Sequence, residues 1–188
     1  LTRYFEGYMT LAAQNGTGFV LDTATWRAGQ VWGERMGLDQ TRIAQVNTAA
    51  VGFARTLRDR WSHLPVIING VVGPSGDGYR VDQEMSAWHA RMAHAVQVEA
   101  LARAGAELIT AMTMTHVTEA IGIAGAAAAA GLPSVISFTV ETDGRLPSGQ
   151  ALEEAIYDVE QLDTPPLWYM INCAHPDHFA ALLDPSQD

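Results

Sequence analysis

The sequence contains no lysine and only one cysteine, Cys173, among its 188 residues. Without lysine the chain cannot form a Schiff base, nor can it complete the lysine-dependent phosphate loop of P-loop proteins. A single cysteine excludes a disulfide within the chain and is typical of a reducing compartment. We therefore expect a cytoplasmic protein.

Basic residues are also few, and long apolar runs are absent. The formal net charge is -10, whereas a nucleic-acid surface needs clustered arginine and lysine to neutralise phosphates. No apolar run approaches the roughly 20 residues that cross a bilayer. Hydrophobic residues nevertheless make up 48% of the chain, enough for a real core. These features predict one globular domain, residues 1–188, that binds neither nucleic acid nor membrane.

Helical periodicity alternates with short apolar runs along the whole chain. The pattern predicts helices at 3–14, 41–60, 82–103, 117–130 and 150–162, and strands at 18–25, 66–72, 106–111, 134–140 and 167–172. Apolar strands that are each followed by one helix are typical of a parallel sheet covered by helices. No G-x-G-x-x-G follows any strand, which disfavours a doubly wound dinucleotide fold and favours a (β/α)8 TIM barrel.

The predicted barrel is incomplete. A whole barrel needs eight strand-helix units in about 250 residues, whereas this chain provides about five strands. The chain also begins at Leu1 rather than at methionine. We therefore expect an internal stretch of a larger catalytic domain, which would be only marginally stable alone because its sheet cannot close.

Active sites of barrel enzymes lie where the strands end, and polar residues follow each predicted strand. They include Asp22, Thr23, Thr25, Asn69, the segment 110–116, Thr139, Glu141, Asp143, Asn172 and Cys173. Any one of them is more often only a helix cap, but together they favour a site at this end of the barrel.

Cys173 stands out because it directly follows an apolar strand. With His175 and His178 it forms a C-x-H-x-x-H group that could hold zinc, although Pro176 between the histidines disfavours both rings pointing to one metal. A Cys-His nucleophile pair is a second option, but it lacks an orienting carboxylate. A lone cysteine that is simply buried is the third.

Three other features are better explained by structure than by catalysis or ligand binding. The glycine-rich segment 73–79 lacks the lysine of a P-loop, so it predicts a turn or a lid. His89 and His94 are too far apart on their helix to share one face as ligands, which indicates surface or packing residues. Glu153 and Glu154 are expected on a solvated helix face.

Five segments, taken in chain order, resemble the homocysteine S-methyltransferase family. They are DTATWRA at 22–28, INGVVGPSGDGY at 68–79, AELITAMTMTHVTEAIGIAGAA at 106–127, ISFTVETDGRLPSG at 136–149 and MINCAHP at 170–176. Asn172-Cys173 and the GP-x-GDGY loop are the most specific of these pieces. The resemblance covers nearly the whole chain.

The resemblance implies a zinc-dependent transfer of a methyl group to the sulfur of homocysteine, giving methionine. In this family three cysteines hold the zinc, and Cys173 matches the one after the sixth strand, so the chain would cover about strands two to six. The implied partners are a small-molecule thiol and a methyl donor. We expect Asn172, Thr113 and Thr23, at the strand ends, to contact the substrate.

One position departs from the family pattern. Some members carry a glutamate at the end of the fourth strand, where it can meet the ammonium group of the substrate, and Met112 occupies that position here. The acceptor could therefore be another thiol or a selenol. Two further readings stay open: a non-catalytic barrel module in which Cys173 is structural, and a metal-independent barrel enzyme such as a lyase, which the absence of lysine weakens.

Overall fold

The computed structural model describes residues 1–81 and 84–183. Its helices are α1 Thr2–Gln14, α2 Gln30–Arg35, α3 Gln40–Arg60, α4 Ala87–Ala104, α5 Val117–Ala129 and α6 Leu152–Glu160, with 3-10 turns at Pro176–His178 and Ala180–Leu183. Its strands are β1 Phe19–Asp22, β2 Val66–Val72, β3 Leu108–Met114, β4 Ser134–Phe138 and β5 Tyr169–Ile171. Within these residues, no helix combines the length and apolar character that crossing a membrane requires.

The five strands form one sheet in the order β1-β2-β3-β4-β5, and every neighbouring pair is parallel. A doubly wound sheet reverses its strand order at a switch point, and this order does not reverse. The helices follow the same progression, since α3 packs on α4, α4 on α5 and α5 on α6. This confirms an α/β fold built as part of a parallel barrel.

Local sequence signals fix the ends of the central helices. The Asp39 side chain accepts a hydrogen bond from the backbone N–H of Arg42 and caps α3, and Ser86 caps α4 in the same way. Helix α4 ends at Gly105, whose φ of 103° is a left-handed conformation that glycine adopts without steric cost. The next strand can therefore start within a few residues.

The core lies between the sheet and the helices. Leu21, Ile68, Ile109 and Ile136 from successive strands are fully buried there. On the opposite face of the sheet, Val20 and Ile67 keep 43% and 47% exposure. The sheet thus has a face covered by helices and a more open face that corresponds to the barrel interior.

Several predicted boundaries were wrong. The third strand runs to Met114 rather than to residue 111, and the first ends at Asp22 rather than at 25. Helix α4 starts at Ala87, although helix was predicted from 82; residues 82 and 83 lie outside the described part. The short α2 was not predicted, because six residues are too few to show a helical periodicity.

Candidate functional site

The end of β5 carries the residues that the sequence singled out. Asn172 and Cys173 follow directly after Ile171, and the Cys173 side chain is exposed. This finding contradicts the interpretation of Cys173 as a simply buried residue. The backbone of Cys173 has φ of 55°, in the left-handed region that non-glycine residues seldom adopt.

The Asn172 side chain links the ends of β3, β4 and β5 by hydrogen bonds. Its Oδ1 accepts hydrogen bonds from the backbone N–H of Thr113 at 3.1 Å and from Ser137 Oγ at 2.7 Å. Its Nδ2 donates to Thr113 Oγ1 at 2.8 Å and to Cys173 Sγ at 3.1 Å. These four residues are called the Asn172 cluster below.

Thr113 holds a second unusual backbone conformation. Its φ is 67°, and the register between β3 and β4 shifts between Met112 and Met114. A β-branched residue in the left-handed region costs roughly 1–2 kcal/mol. The bulge directs the backbone N–H of Thr113 toward Asn172. The strained backbone of Thr113 therefore makes one of the hydrogen bonds of the Asn172 cluster.

Thr23, the third predicted substrate residue, belongs to a different hydrogen-bonding group. Its Oγ1 lies 2.7 Å from Thr25 Oγ1 and accepts from the backbone N–H of Val71 at 3.1 Å. Strand β1, which precedes it, lies at the opposite edge of the sheet from β5. The structure thus brings Asn172 and Thr113 together, while Thr23 joins the ends of β1 and β2. A role for Thr23 in substrate binding stays a prediction.

A buried polar chain runs along the same end of the sheet. Asn69 Nδ2 donates to Asp22 Oδ1 at 2.7 Å, and Thr110 Oγ1 donates to Asn69 Oδ1 at 3.0 Å. Burial raises the pKa of Asp22, and the hydrogen bond from Asn69 offsets part of that rise. Asp22 is the only acidic residue within the five strands.

Met112 is half-buried next to the Asn172 cluster. Its backbone oxygen accepts a hydrogen bond from Trp26 Nε1 at 3.2 Å, and it stands opposite Ser137 in the register. A thioether cannot neutralise an ammonium group as a carboxylate does. At this position the site therefore offers an apolar surface.

The glycine-rich loop 73–79 approaches the Asn172 cluster. Interaction with the Cys173 thiol raises the pKa of Tyr79, an exposed residue at the end of this loop. A side chain at Gly78 would contact Thr113 and Trp26 at 3.5–3.6 Å. The loop thus forms one wall of the site.

A buried hydrogen-bonded group beneath this loop was not predicted from the sequence. Glu119 Oε1 lies 2.8 Å from His94 Nε2 and accepts from the backbone N–H of Ser75 at 2.8 Å. Burial alone would raise the pKa of Glu119, but His94 and Ser75 outweigh it and lower that pKa below its usual value. The prediction left His94 as either a surface or a packing residue, and it is 3% exposed.

The three residues Cys173, His175 and His178, which the sequence raised as an unfavoured zinc group, are not brought together as a metal site. Within residues 1–81 and 84–183, no three His, Cys, Asp or Glu side chains are placed to hold a metal ion. The two imidazole rings lie 6.0 Å apart, and His175 Nδ1 instead contacts Asp177. Structural and catalytic zinc sites need three or four protein ligands, so the described residues do not complete such a site.

Comparison with known proteins gives a consistent result. The chain resembles the homocysteine methyltransferase MmuM from Escherichia coli in its metallated, oxidized and apo forms, with TM-scores of 0.77, 0.78 and 0.70. Identity is 23–24%, and the matches cover 88% of this chain but only 60–61% of those chains. No curated protein sequence matches. The model of the homocysteine S-methyltransferase family matches residues 2–187, so the chain belongs to the homocysteine S-methyltransferase family.

Proposed function

We propose that this protein transfers a methyl group to a thiol, with homocysteine as the acceptor and methionine as the product. The observation that carries the proposal is the exposed Cys173 at the end of β5, held by Asn172, in a chain of this family. The chain would cover about strands two to six of the barrel. We place the protein in the cytoplasm.

In the proposed reaction the acceptor sulfur forms a bond to the methyl carbon while the bond from that carbon to the donor breaks. The acceptor must first lose its proton, since a thiol with a pKa near 8.5 is mostly neutral at pH 7. A zinc ion bound to Cys173 would hold the acceptor as its thiolate. The remaining zinc ligands would come from outside the residues described above.

The chain's own residues would orient the acceptor. Asn172 donates to Cys173 and fixes the direction of its sulfur. Asn172 and Thr113 also place amide and hydroxyl groups beside the thiol, where an amino acid could bind. The loop 73–79 bounds the site where Gly78 lies next to Thr113.

A non-catalytic barrel module is the alternative. The apolar Met112 and the incomplete metal group favour it, whereas the strained and exposed Cys173 does not. Strain at a residue that contributes nothing to packing is typical of functional sites.

The test measures zinc content and methyl transfer on the complete polypeptide, for wild type and Cys173→Ser. Sulfonium, betaine and folate donors are each tried with homocysteine. We expect about one zinc per chain and methionine formation in wild type, and loss of both in Cys173→Ser. Circular dichroism establishes that the variant is folded. Unchanged zinc content and transfer in the folded variant would refute the proposal.

A further inference from the structure

Asp22 carries a carboxylate on the open face of the sheet. It is the last residue of β1 and comes two positions after Val20, so the two side chains lie on the same face of the strand. Val20 and, in the neighbouring strand, Ile67 are 43% and 47% exposed on that face, which corresponds to the barrel interior. No other residue of the five strands is acidic. The strands thus direct one negative charge into the barrel.

Two successive hydrogen bonds fix the direction of this carboxylate. Thr110 Oγ1 donates to Asn69 Oδ1 at 3.0 Å, and the amide nitrogen of Asn69 donates to Asp22 Oδ1 at 2.7 Å. Thr110 and Asn69 are only 1% and 2% exposed, so packing holds both of them in place as well. Within residues 1–81 and 84–183, no group donates a hydrogen bond to the second carboxylate oxygen, Oδ2. One oxygen of Asp22 is therefore held, and the other is available to a ligand.

A structural role does not account for the charge of Asp22. An asparagine would accept the same hydrogen bond from Asn69 without the cost of desolvating a charge. The chain contains no lysine, and among the described residues no arginine or histidine forms an ion pair with Asp22. A partly buried carboxylate is stabilised by a neighbouring cation. A cationic group on a bound ligand would supply this partner at Oδ2.

In the barrel, Asp22 lies opposite Cys173. Strands β1 and β5 are the first and fifth in a sheet whose order does not reverse, and strands four apart face each other across the interior of an eight-stranded barrel. Asp22 ends β1 and Cys173 follows the end of β5, so both lie at the end of the barrel where such enzymes bind their substrates. A ligand that binds through its sulfur at Cys173 can therefore present a second group to Asp22.

The interior groups near Cys173 are uncharged. Thr113, Ser137 and Asn172 offer hydroxyl and amide groups, and Met112 offers a thioether. These groups can orient a ligand by hydrogen bonds or by apolar contact, but none of them neutralises a positive charge. Among the side chains of the five strands, only that of Asp22 can do so.

We propose that Asp22 is a specificity-determining residue, which binds the ammonium group of the acceptor and thereby selects thiols that carry an amine. An ammonium group suits Oδ2 because it has N–H groups to donate, whereas a sulfonium or a quaternary ammonium has none. The proposal rests on the proposed function in taking Cys173 as the end of the site that binds the acceptor sulfur. Its test measures binding rather than methyl transfer, so the two can fail separately.

The test compares the binding of two thiols by titration calorimetry on the complete polypeptide. Homocysteine and 4-mercaptobutyrate share the thiol, the carbon chain and the carboxylate, but only homocysteine has an amine. We expect wild type to bind homocysteine roughly 10- to 100-fold more tightly, as for a hydrogen bond between charged groups. Asp22→Asn should bind the two thiols about equally. It keeps the acceptor for Asn69, so it should stay folded, which circular dichroism checks.

Two further variants separate amine recognition from general effects. Glu141→Gln removes an exposed negative charge beyond the end of β4 and should keep the wild-type preference for homocysteine. Asp22→Ser also offers an oxygen to Asn69 without a charge. It should lose the preference as Asp22→Asn does, and it takes the place of that variant if the asparagine does not fold.

Two results would overturn the proposal. Equal affinities of wild type for the two thiols, or no binding of either, would mean that the site does not recognise the amine. A preference for homocysteine that survives in folded Asp22→Asn would mean that another group recognises it, and weaker binding of betaine by that variant would then assign Asp22 to a cationic methyl donor. A wild type that prefers homocysteine through Asp22 but does not methylate it would overturn the proposed function alone.

Discussion

The helix-covered side of the sheet and the Asn172 cluster differ in how fully their side chains are buried and in how much backbone strain they contain. Between the sheet and α4 and α5, side chains are buried and even the charged Glu119 has partners for its carboxylate. At the ends of β3 and β5, two non-glycine residues, Thr113 and Cys173, adopt positive φ, and the thiol is exposed. The helix-covered side follows the ordinary rules of side-chain packing. The strand ends contain positive φ angles that packing alone does not explain.

This difference predicts which substitutions cost stability and which cost activity. Changes on the covered side should lower the free energy of unfolding. Changes in the Asn172 cluster should lower activity more than stability. The following three predictions test that division, from the largest expected effect to the smallest.

The contact between α4 and α5 should be the most sensitive. A Cβ at Gly122 would lie 2.4 Å from Ala90 Cβ and 2.7 Å from the Arg91 backbone nitrogen. We expect Gly122→Ala to reduce the free energy of unfolding by roughly 3 kcal/mol, because backbone atoms must move to admit the methyl group. Urea denaturation measures this change in the free energy of unfolding. Gly125→Ala is the matched control: its Cβ would meet only Arg91 Cδ at 3.5 Å, so it should gain about 0.5–1 kcal/mol of helix propensity. Equal effects of the two variants would contradict the packing argument.

Asn172 should separate activity from stability. Asn172→Ala removes all four hydrogen bonds of its side chain and should reduce methyl transfer roughly 10- to 100-fold, with a stability loss of about 1–3 kcal/mol. Asn172→Asp retains the acceptor for Thr113 and Ser137 but places a negative charge, not a donor, beside Cys173 Sγ. It should therefore keep near-normal stability and still lose activity. Wild-type transfer by folded Asn172→Asp would show that the donor to the thiol is unimportant.

Glu119 should contribute a pH-dependent part of the stability. Its pKa in the folded protein is below its ordinary value of 4.5. Its stabilisation is therefore complete above about pH 4.5 and is lost as pH falls through the lower folded pKa. We expect the wild-type free energy of unfolding to fall more steeply than that of Glu119→Gln on acidification below pH 4.5, as measured by urea denaturation at several pH values. Parallel pH profiles would show that the carboxylate is not preferentially ionised in the folded state.

The alternation of elements followed from local signals in the sequence. Pro65 ends the region of α3, Gly105 ends α4, and Gly131 with Pro133 ends α5, and at each point a run of β-branched or apolar residues follows. Such signals act within a few residues and can be read without tertiary information. They failed at β3, where pairing with β4 extends the strand through Met114 and creates the bulge at Thr113.

The candidate site could be predicted only in part. Asn172 and Cys173 were identified because they follow an apolar strand, but the partners of Asn172 lie 59 and 35 residues away in the chain. No local pattern links them. Glu119 and His94, 25 residues apart, were missed for the same reason, since the sequence around each fits an ordinary helix.

The sequence by itself determined that the chain alternates strands and helices in a parallel barrel-type order and that polar residues and one thiol follow the strands. It could do so because hydrophobic period, caps and helix stops act over a few residues. Only the tertiary structure decided that Asn172 joins Thr113, Ser137 and Cys173, and that a buried carboxylate anchors the loop beside them. Those contacts depend on strand register and on the close approach of α4 and α5, which arise only when distant segments pack together.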